Sequence, residues 1–303
     1  MNAATRNGSA SVRARLLNVA KAQGVDFNQV LVRFALERIL YRLTQSPHAD
    51  RFVLKGALLF TLWYDMPHRA TRDADLLGFG ASDLASVTQV FRDIAAVAVD
   101  DGIVFDPASV TVEEIRKEAS YGGVRVIIAG DLAKACCKTQ IDVGFGDAVT
   151  PAPVDSVYPV LLEDMPAPRL RTYPTYTVIA EKLHAIALLG MTNSRLKDYF
   201  DLSVLLERET LDIDLLAQAI KATFGRRGMA VRDALHDGML VGLTDEFAHD
   251  TSRQAMWQAF LKKNELPPEP LPAIVGRLSV ALAPALNAVL HGATFTADPS
   301  LNS

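Results

Sequence analysis

A chain of 303 residues, half of them apolar, can bury one large core or two modest ones, and its formal net charge of −4 exerts no overall pull toward nucleic acid. Its two cysteines, Cys136 and Cys137, are adjacent, a spacing that suits neither a structural disulfide nor a zinc cage, and they read as reduced packing residues. No apolar run is expected to reach the ~18 to 20 residues that span a bilayer, and the N-terminus lacks the succession of a signal peptide, so the cytoplasm is the expected compartment.

Residues 1–9 and 298–303 are mostly small and polar, as untethered ends usually are. Residues 9–22 and 26–46 carry apolar side chains at three- and four-residue spacing, among them Val30, Phe34, Ile39 and Leu43, which predicts a helical lead-in over residues 1–50. From residue 51 to about 147 the pattern turns to short β-rich runs, at 73–79, 109–115, 124–128 and 139–145, interleaved with helical stretches at 56–64 and 83–97. The Tyr121-Gly122-Gly123 step between two of these runs predicts a hairpin. The expectation is an α+β domain in which a mixed, mostly antiparallel sheet is covered by helices.

A proline-rich passage over 151–174 breaks both periodicities, with extended pieces expected at 158–162 and 169–171, and a domain boundary is placed there. Beyond it the spacing predicts helices at 175–189, 194–208, 213–224, 245–263 and 272–290. The expected organisation is therefore a lead-in at 1–50, a sheet domain at 51–174 and a helical domain at 175–303.

The sharpest chemical signal is Thr71-Arg72-Asp73-Ala74-Asp75-Leu76-Leu77. In a strand Asp73 and Asp75 share one face about 7 Å apart, and two like charges held in a partly buried place repel and lose hydration unless a cation neutralises them. Oxygen ligands favour Mg²⁺ or Mn²⁺ over zinc. The tripeptide alone also suits a solvated turn; its apolar flank argues against that. Asp142, alone among the β-branched neighbours of Gln140-Ile141-Asp142-Val143, is a candidate third carboxylate. Three converging carboxylates can hold two divalent ions for in-line phosphoryl transfer, whereas an edge-strand aspartate would merely face water.

Upstream, Lys55-Gly56-Ala57 marks a strand-to-helix turn whose backbone amides can receive a triphosphate, or else is an ordinary connector. In the helix at 175–189, Lys182 can meet a phosphate as a point charge or simply snorkel, and His184 reads as packing or as a supporting donor. In the next helix Arg195 and Asp198, Asp198 and Asp201, and Lys197 and Asp201 stand at ion-pair spacing. These are surface pairs in one reading; in the other, Asp198 orients Lys182 while Arg195 or Lys197 faces the nucleotide. Arg226, Arg227, Arg232, Lys262 and Lys263 are candidate phosphate contacts to RNA, or solvated helix faces.

Together with Gln140-Ile141-Asp142-Val143-Gly144-Phe145-Gly146-Asp147, Glu181-Lys182-Leu183-His184-Ala185 and Arg195-Leu196-Lys197-Asp198-Tyr199-Phe200-Asp201-Leu202, these segments resemble, over residues 51–206, the AbiEii/AbiGii toxin family. The resemblance implies a DNA polymerase β-like nucleotidyltransferase core, partnered by a separate antitoxin, that transfers NMP from an NTP and in some members modifies the tRNA acceptor end. It further implies that Asp73 and Asp75 match the metal pair, Lys182 the essential lysine and Asp198 the essential downstream aspartate, with Asp142 as third carboxylate. Lys55, Gly56, Ala57 and Arg195 are the expected nucleotide contacts, and Ala57 departs from the family's usual Gly or Ser. A metal-dependent phosphodiesterase or nuclease, and a catalytically weak nucleotide-binding module, are the alternatives.

Overall fold

Helical spacing and side-chain caps shape the first elements of the chain, which is described by a computed structural model at residues 3–64, 71–116, 122–236 and 238–291. Two helices open it, α1 (Ala3–Gln23) and α2 (Phe27–Gln45), and Asp26 starts the second by accepting the amide N–H of Asn28. Strand β1 (Phe52–Lys55), helix α3 (Leu58–Tyr64), strand β2 (Asp73–Gly78) and helix α4 (Leu84–Ala96) follow, with Asp83 capping α4 through the amide of Ser86. Then come β3 (Val104–Phe105), β4 (Thr111–Arg116), β5 (Gly122–Leu132), β6 (Ala135–Phe145), β7 (Val154–Val157) and β8 (Arg169–Thr172).

Among the described residues these eight strands form one sheet in the order β3-β5-β6-β2-β1-β8-β7, with β4 also pairing β5. The pairs β2/β6 and β1/β8 are parallel and the rest antiparallel. The α+β class with a mixed, mostly antiparallel sheet is thus the observed one. Gly122 and Gly123 begin β5, but residues 117–121, and so Tyr121 of the expected hairpin turn, lie outside the described residues, as do 298–303.

Alternation along the strands sorts the sheet into two faces. Leu54 and Leu76 meet Leu43 of α2 around a small cavity of about 130 Å³, so Asp73 and Asp75, which alternate with the buried Ala74 and Leu76, point to the other face. The same alternation separates the cysteines: Cys137 is buried, its thiol pushed up to about 11 by burial, whereas Cys136 is exposed and so is not the packing residue expected of it.

Two compact units result, Met1–Gly146 with Val154–Tyr173, and Asp147–Pro153 with Pro174–Ser303. The proline-rich passage returns to the sheet unit as the β7/β8 pair. Residues 158–162 are not a strand: Tyr158 makes one more bond, its N–H donating to the Pro168 carbonyl at 2.9 Å, and Pro159 has no N–H with which to continue. Tyr158 and Leu162 are instead buried as packing residues.

That passage is tied to α2 by a buried charge pair. The Leu161 N–H donates to Glu37 Oε2 at 2.7 Å, and Arg38 Nη2 donates to the Pro166 carbonyl at 2.9 Å. Burial raises the Glu37 carboxyl to about 7 despite the neighbouring Arg38 guanidinium. A carboxyl raised on folding costs stability as it ionises, so the stability of wild type is expected to fall as pH rises from about 4.5 to about 7, and to level off above that. Glu37→Gln should flatten this slope in thermal melts across pH 4 to 8.

The second unit is helical: α5 (Thr175–Leu189), α6 (Leu196–Arg208), α7 (Ile213–Arg226), α8 (Asp245–His249), α9 (Thr251–Lys263) and α10 (Leu271–His291), with a small pair of strands, β9 (Leu235–His236) and β10 (Met239–Leu240). Residues 245–263 are two helices rather than one, because Asp250 leaves helical geometry and caps α9 through the Arg253 amide. Thr177 on α5 anchors the first segment of this unit, its hydroxyl accepting from the Thr150 N–H at 2.9 Å and donating to the Thr150 carbonyl.

Helix α10 corrects the expectation that no segment is long and apolar enough for a bilayer: its 21 residues pass that test by length and composition. Pro284 and Arg277 hide this in the sequence. Leu271, Ile274, Val275, Leu278, Leu282 and Leu286 form a stripe that is buried against α6 and α7, the pattern of a helix packed on one side.

Candidate active site

In the sheet unit the candidate residues converge through register. β2 runs parallel to β6 so that Asp75 lies opposite Asp142 and Asp73 opposite Gln140, while on the other flank Lys55 of β1 lies opposite Asp75. Directly opposed residues project to the same face, which puts all three carboxylates on one side of the sheet. The Thr71 hydroxyl donates to Asp73 Oδ1 at 2.8 Å and steadies that carboxylate.

Gly56 explains itself in the same place. Its φ is +75°, and a Cβ there would stand 2.1 Å from Asp75 Oδ2, so the chain leaving β1 passes directly against the carboxylate. Only glycine meets both demands. Ala57 follows, its carbonyl accepting the Phe60 N–H as α3 begins. Lys55 is buried, with its ammonium 5.0 Å from the centre of the Tyr173 ring and 3.5 Å from the Tyr173 hydroxyl.

Asp142 is engaged by a residue that the sequence reading did not single out. Arg125 on β5, opposite Asp142 in register, donates from Nε to Oδ1 and from Nη2 to Oδ2, each at 2.9 Å, and Gln140 Nε2 stands 3.3 Å from Oδ1. The only sequence signal was a lone charge in the β-rich run Val124-Arg125-Val126. Among the described residues no three His, Cys, Asp or Glu side chains gather closely enough to hold a metal ion. The pair Asp73 and Asp75 nevertheless suits a hard divalent cation that takes its remaining ligands from water and substrate phosphates: both donors are oxygens, on one face, with a backbone approach at Gly56 that no Cβ obstructs.

In the helical unit, Lys182 of α5 meets two aspartates of α6. Its ammonium donates to Asp198 Oδ1 at 3.0 Å and to Asp201 Oδ2 at 2.6 Å, and Arg195 Nε donates to Asp198 Oδ2 at 2.8 Å. The side chains of Asp198 and Asp201 are 1% and 0% exposed and that of Lys182 13%, so these three form a buried cluster, while the Arg195–Asp198 pair that spacing offered is also present, with Arg195 47% exposed. Burial by itself would raise the Asp198 carboxyl, but Lys182 and Arg195 outweigh it and hold it below the ordinary range. Lys197, the in-helix candidate partner of Asp201, is exposed.

A second cluster involves Glu181, the residue before Lys182 in α5. Arg227 Nη2 bridges Asp147 Oδ1 at 3.0 Å and Glu181 Oε1 at 2.9 Å. It is therefore an internal clamp and not the open phosphate contact considered from sequence, whereas Arg226, Arg232, Lys262 and Lys263 are exposed. His184 packs edge-on against Phe224, and burial together with the Arg227 charge pushes it down to about 4, so it is neutral at pH 7.

Paired acids on a central strand of a mixed sheet, in a chain whose helical unit holds a lysine between buried aspartates, suit a nucleotidyltransferase, and the family match fixes that class. The chain matches the family described as "Nucleotidyl transferase AbiEii toxin, Type IV TA system" over residues 38–290, and it belongs to that family. The match extends beyond the 51–206 of the sequence resemblance, from within α2 to the end of α10. Two solved structures are similar. One, from H. pylori, is 19% identical, with 84% of this chain and 92% of that chain covered and a TM-score of 0.44. The other, JHP933 from Helicobacter pylori, is 18% identical, with 84% and 90% covered and a TM-score of 0.43. No curated protein matches the chain.

Proposed function

We propose that this enzyme is the toxin of a toxin-antitoxin pair that transfers NMP from an NTP to a hydroxyl of RNA, with tRNA the leading acceptor, in the cytoplasm and under restraint by a cognate antitoxin protein. The observation that carries this reading is the Asp73 and Asp75 pair on one face of β2, with Gly56 turned against Asp75, inside the region that matches the family.

Asp73 and Asp75 are assigned as the ligands of Mg²⁺, with Mn²⁺ as a substitute. When bound, such an ion neutralises phosphate charge and lowers the pKa of the attacking hydroxyl. Thr71 holds Asp73 in place, and Lys55 balances the charge of Asp75 from the adjoining strand. Lys182 is assigned as a fixed positive charge for the phosphates, oriented by Asp198, with Arg195 and the backbone amides of Gly56 and Ala57 as further nucleotide contacts. In the reaction the acceptor oxygen bonds to the α-phosphorus, the bond from that phosphorus to the bridging oxygen breaks, pyrophosphate leaves, and the hydroxyl proton is released. The exposed Arg226, Arg232, Lys262 and Lys263 are assigned to the RNA phosphates.

The test incubates purified protein with each of the four NTPs, labelled at the α-phosphate, with Mg²⁺ and total RNA. Label in the tRNA fraction is the expected result. Label in protein would move the acceptor, and RNA shortened without any NTP would replace transfer with nuclease action.

A further inference from the structure

One row of charges crosses five strands on the face that bears Asp75. Glu113 of β4 stands opposite Arg125 of β5, Arg125 opposite Asp142 of β6, Asp142 opposite Asp75 of β2, and Asp75 opposite Lys55 of β1. The two cations separate and flank the acids, so the row already carries much of its own neutralisation.

The Asp142 carboxylate is engaged at both oxygens by its neighbours. Oδ1 faces Arg125 Nε at 2.9 Å and Gln140 Nε2 at 3.3 Å, and Oδ2 accepts from Arg125 Nη2 at 2.9 Å. Its side chain is only 10% exposed, whereas that of Arg125 is 34% exposed. The guanidinium is held firmly charged, first by its hydrogen bond to Asp142 and then by attraction to Glu113 and Asp73, which places its field over the same acids a cation would serve. A divalent ion recruiting Asp142 would have to compete with a two-bond, charge-assisted pair whose acid is buried.

From this geometry we infer that Arg125, steered by Asp142, takes the place of a second divalent cation, so that the site holds one ion, on Asp73 and Asp75. The inference rests on the reading of Asp73 and Asp75 as ion ligands. Asp142 is then a positioning residue for Arg125 and not a ligand, and Arg125 is the fixed charge that completes the neutralisation of the row.

The experiment counts Mn²⁺ bound per chain, from the electron paramagnetic resonance of free Mn²⁺, for the full-length protein with a non-hydrolysable NTP analogue. Expected are one ion for wild type, one for Arg125→Lys, two for Arg125→Met, in which Asp142 is released, and one with unchanged affinity for the double variant Asp142→Asn/Arg125→Gln, which removes both charges of the pair and leaves the net charge of the row as it was. Two ions in wild type, or a weakening of roughly tenfold or more in the charge-neutral double variant, would make Asp142 a ligand and overturn the inference. A single ion in a folded Arg125→Met would also overturn it, since Arg125 would not then be what excludes the second. Should Arg125→Met fail to fold, the wild-type count decides the matter alone. No bound Mn²⁺ in wild type would remove the ion reading of Asp73 and Asp75 itself, an outcome distinct from a count of two.

Discussion

Lys182→Met should lose both transfer activity and about 3 to 5 kcal/mol of stability, because it leaves two buried carboxylates without the ammonium that joins them. Against the ~5 to 15 kcal/mol that holds a folded domain together, such a loss is visible as an early transition in denaturant melts. Adding Asp201→Asn to Lys182→Met removes one stranded charge while Arg195 still pairs with Asp198, so the double variant should recover much of the stability. It should recover none of the activity, since the positive charge assigned to the phosphates is still missing. A pH series adds a second readout. Asp198 is held below its unfolded value, so the stability it contributes is present above about pH 4 and is lost as pH falls through its lower folded value. Lys182→Met should blunt that acid-induced loss. If Lys182→Met melts like wild type, the cluster does not carry the energy assigned to it.

Periodicity made the helices legible, because each needs only its own apolar stripe and caps such as Asp26 and Asp83, all within a few residues of chain. It misread 245–263 as one helix because the apolar spacing continues through Asp250, and only the cap geometry reveals the break. The strands were legible as β-rich runs, but their pairing was not. That Asp142 lies beside Asp75 depends on a parallel register between segments 67 residues apart in chain numbering, and no local spacing encodes it. Arg125 was missed for the same reason, since its significance appears only once β5 pairs with β6.

Helix spacing likewise reports neighbours within one helix. It offered Lys197 as a partner of Asp201, and it gave no sign of the bond that Lys182 makes to that aspartate from a different helix. Arg227 shows the converse limit: a basic residue at a helix end looks like a solvated phosphate contact until Asp147 and Glu181 are seen to enclose it. The catalytic class was legible because several weak motifs occur in family order, each uninformative alone.

Asp73→Asn should separate function from folding in the opposite sense to Lys182→Met. The amide keeps the shape of the carboxylate and can still accept the Thr71 hydroxyl, so the local hydrogen bond survives. The charge does not, and an oxygen ligand assigned to the divalent ion is weakened. Losing several kcal/mol of charge stabilisation corresponds to a fall in transfer rate of roughly 10³-fold, at about 1.4 kcal/mol for each factor of ten. Stability should stay within about 0.5 kcal/mol of wild type or rise, because Asp73 is half-buried on the same strand face as Asp75 and the substitution relieves a like-charge repulsion. Labelling of RNA and denaturant melts on the same preparation read both quantities, and growth after expression without antitoxin reads the consequence in cells. Transfer within tenfold of wild type would remove Asp73 from the site. A variant that is at least as stable yet inactive would instead mark the acid pair as a place where the chain tolerates repulsion for the sake of binding a cation, which is where sequences depart from the choices that favour folding alone.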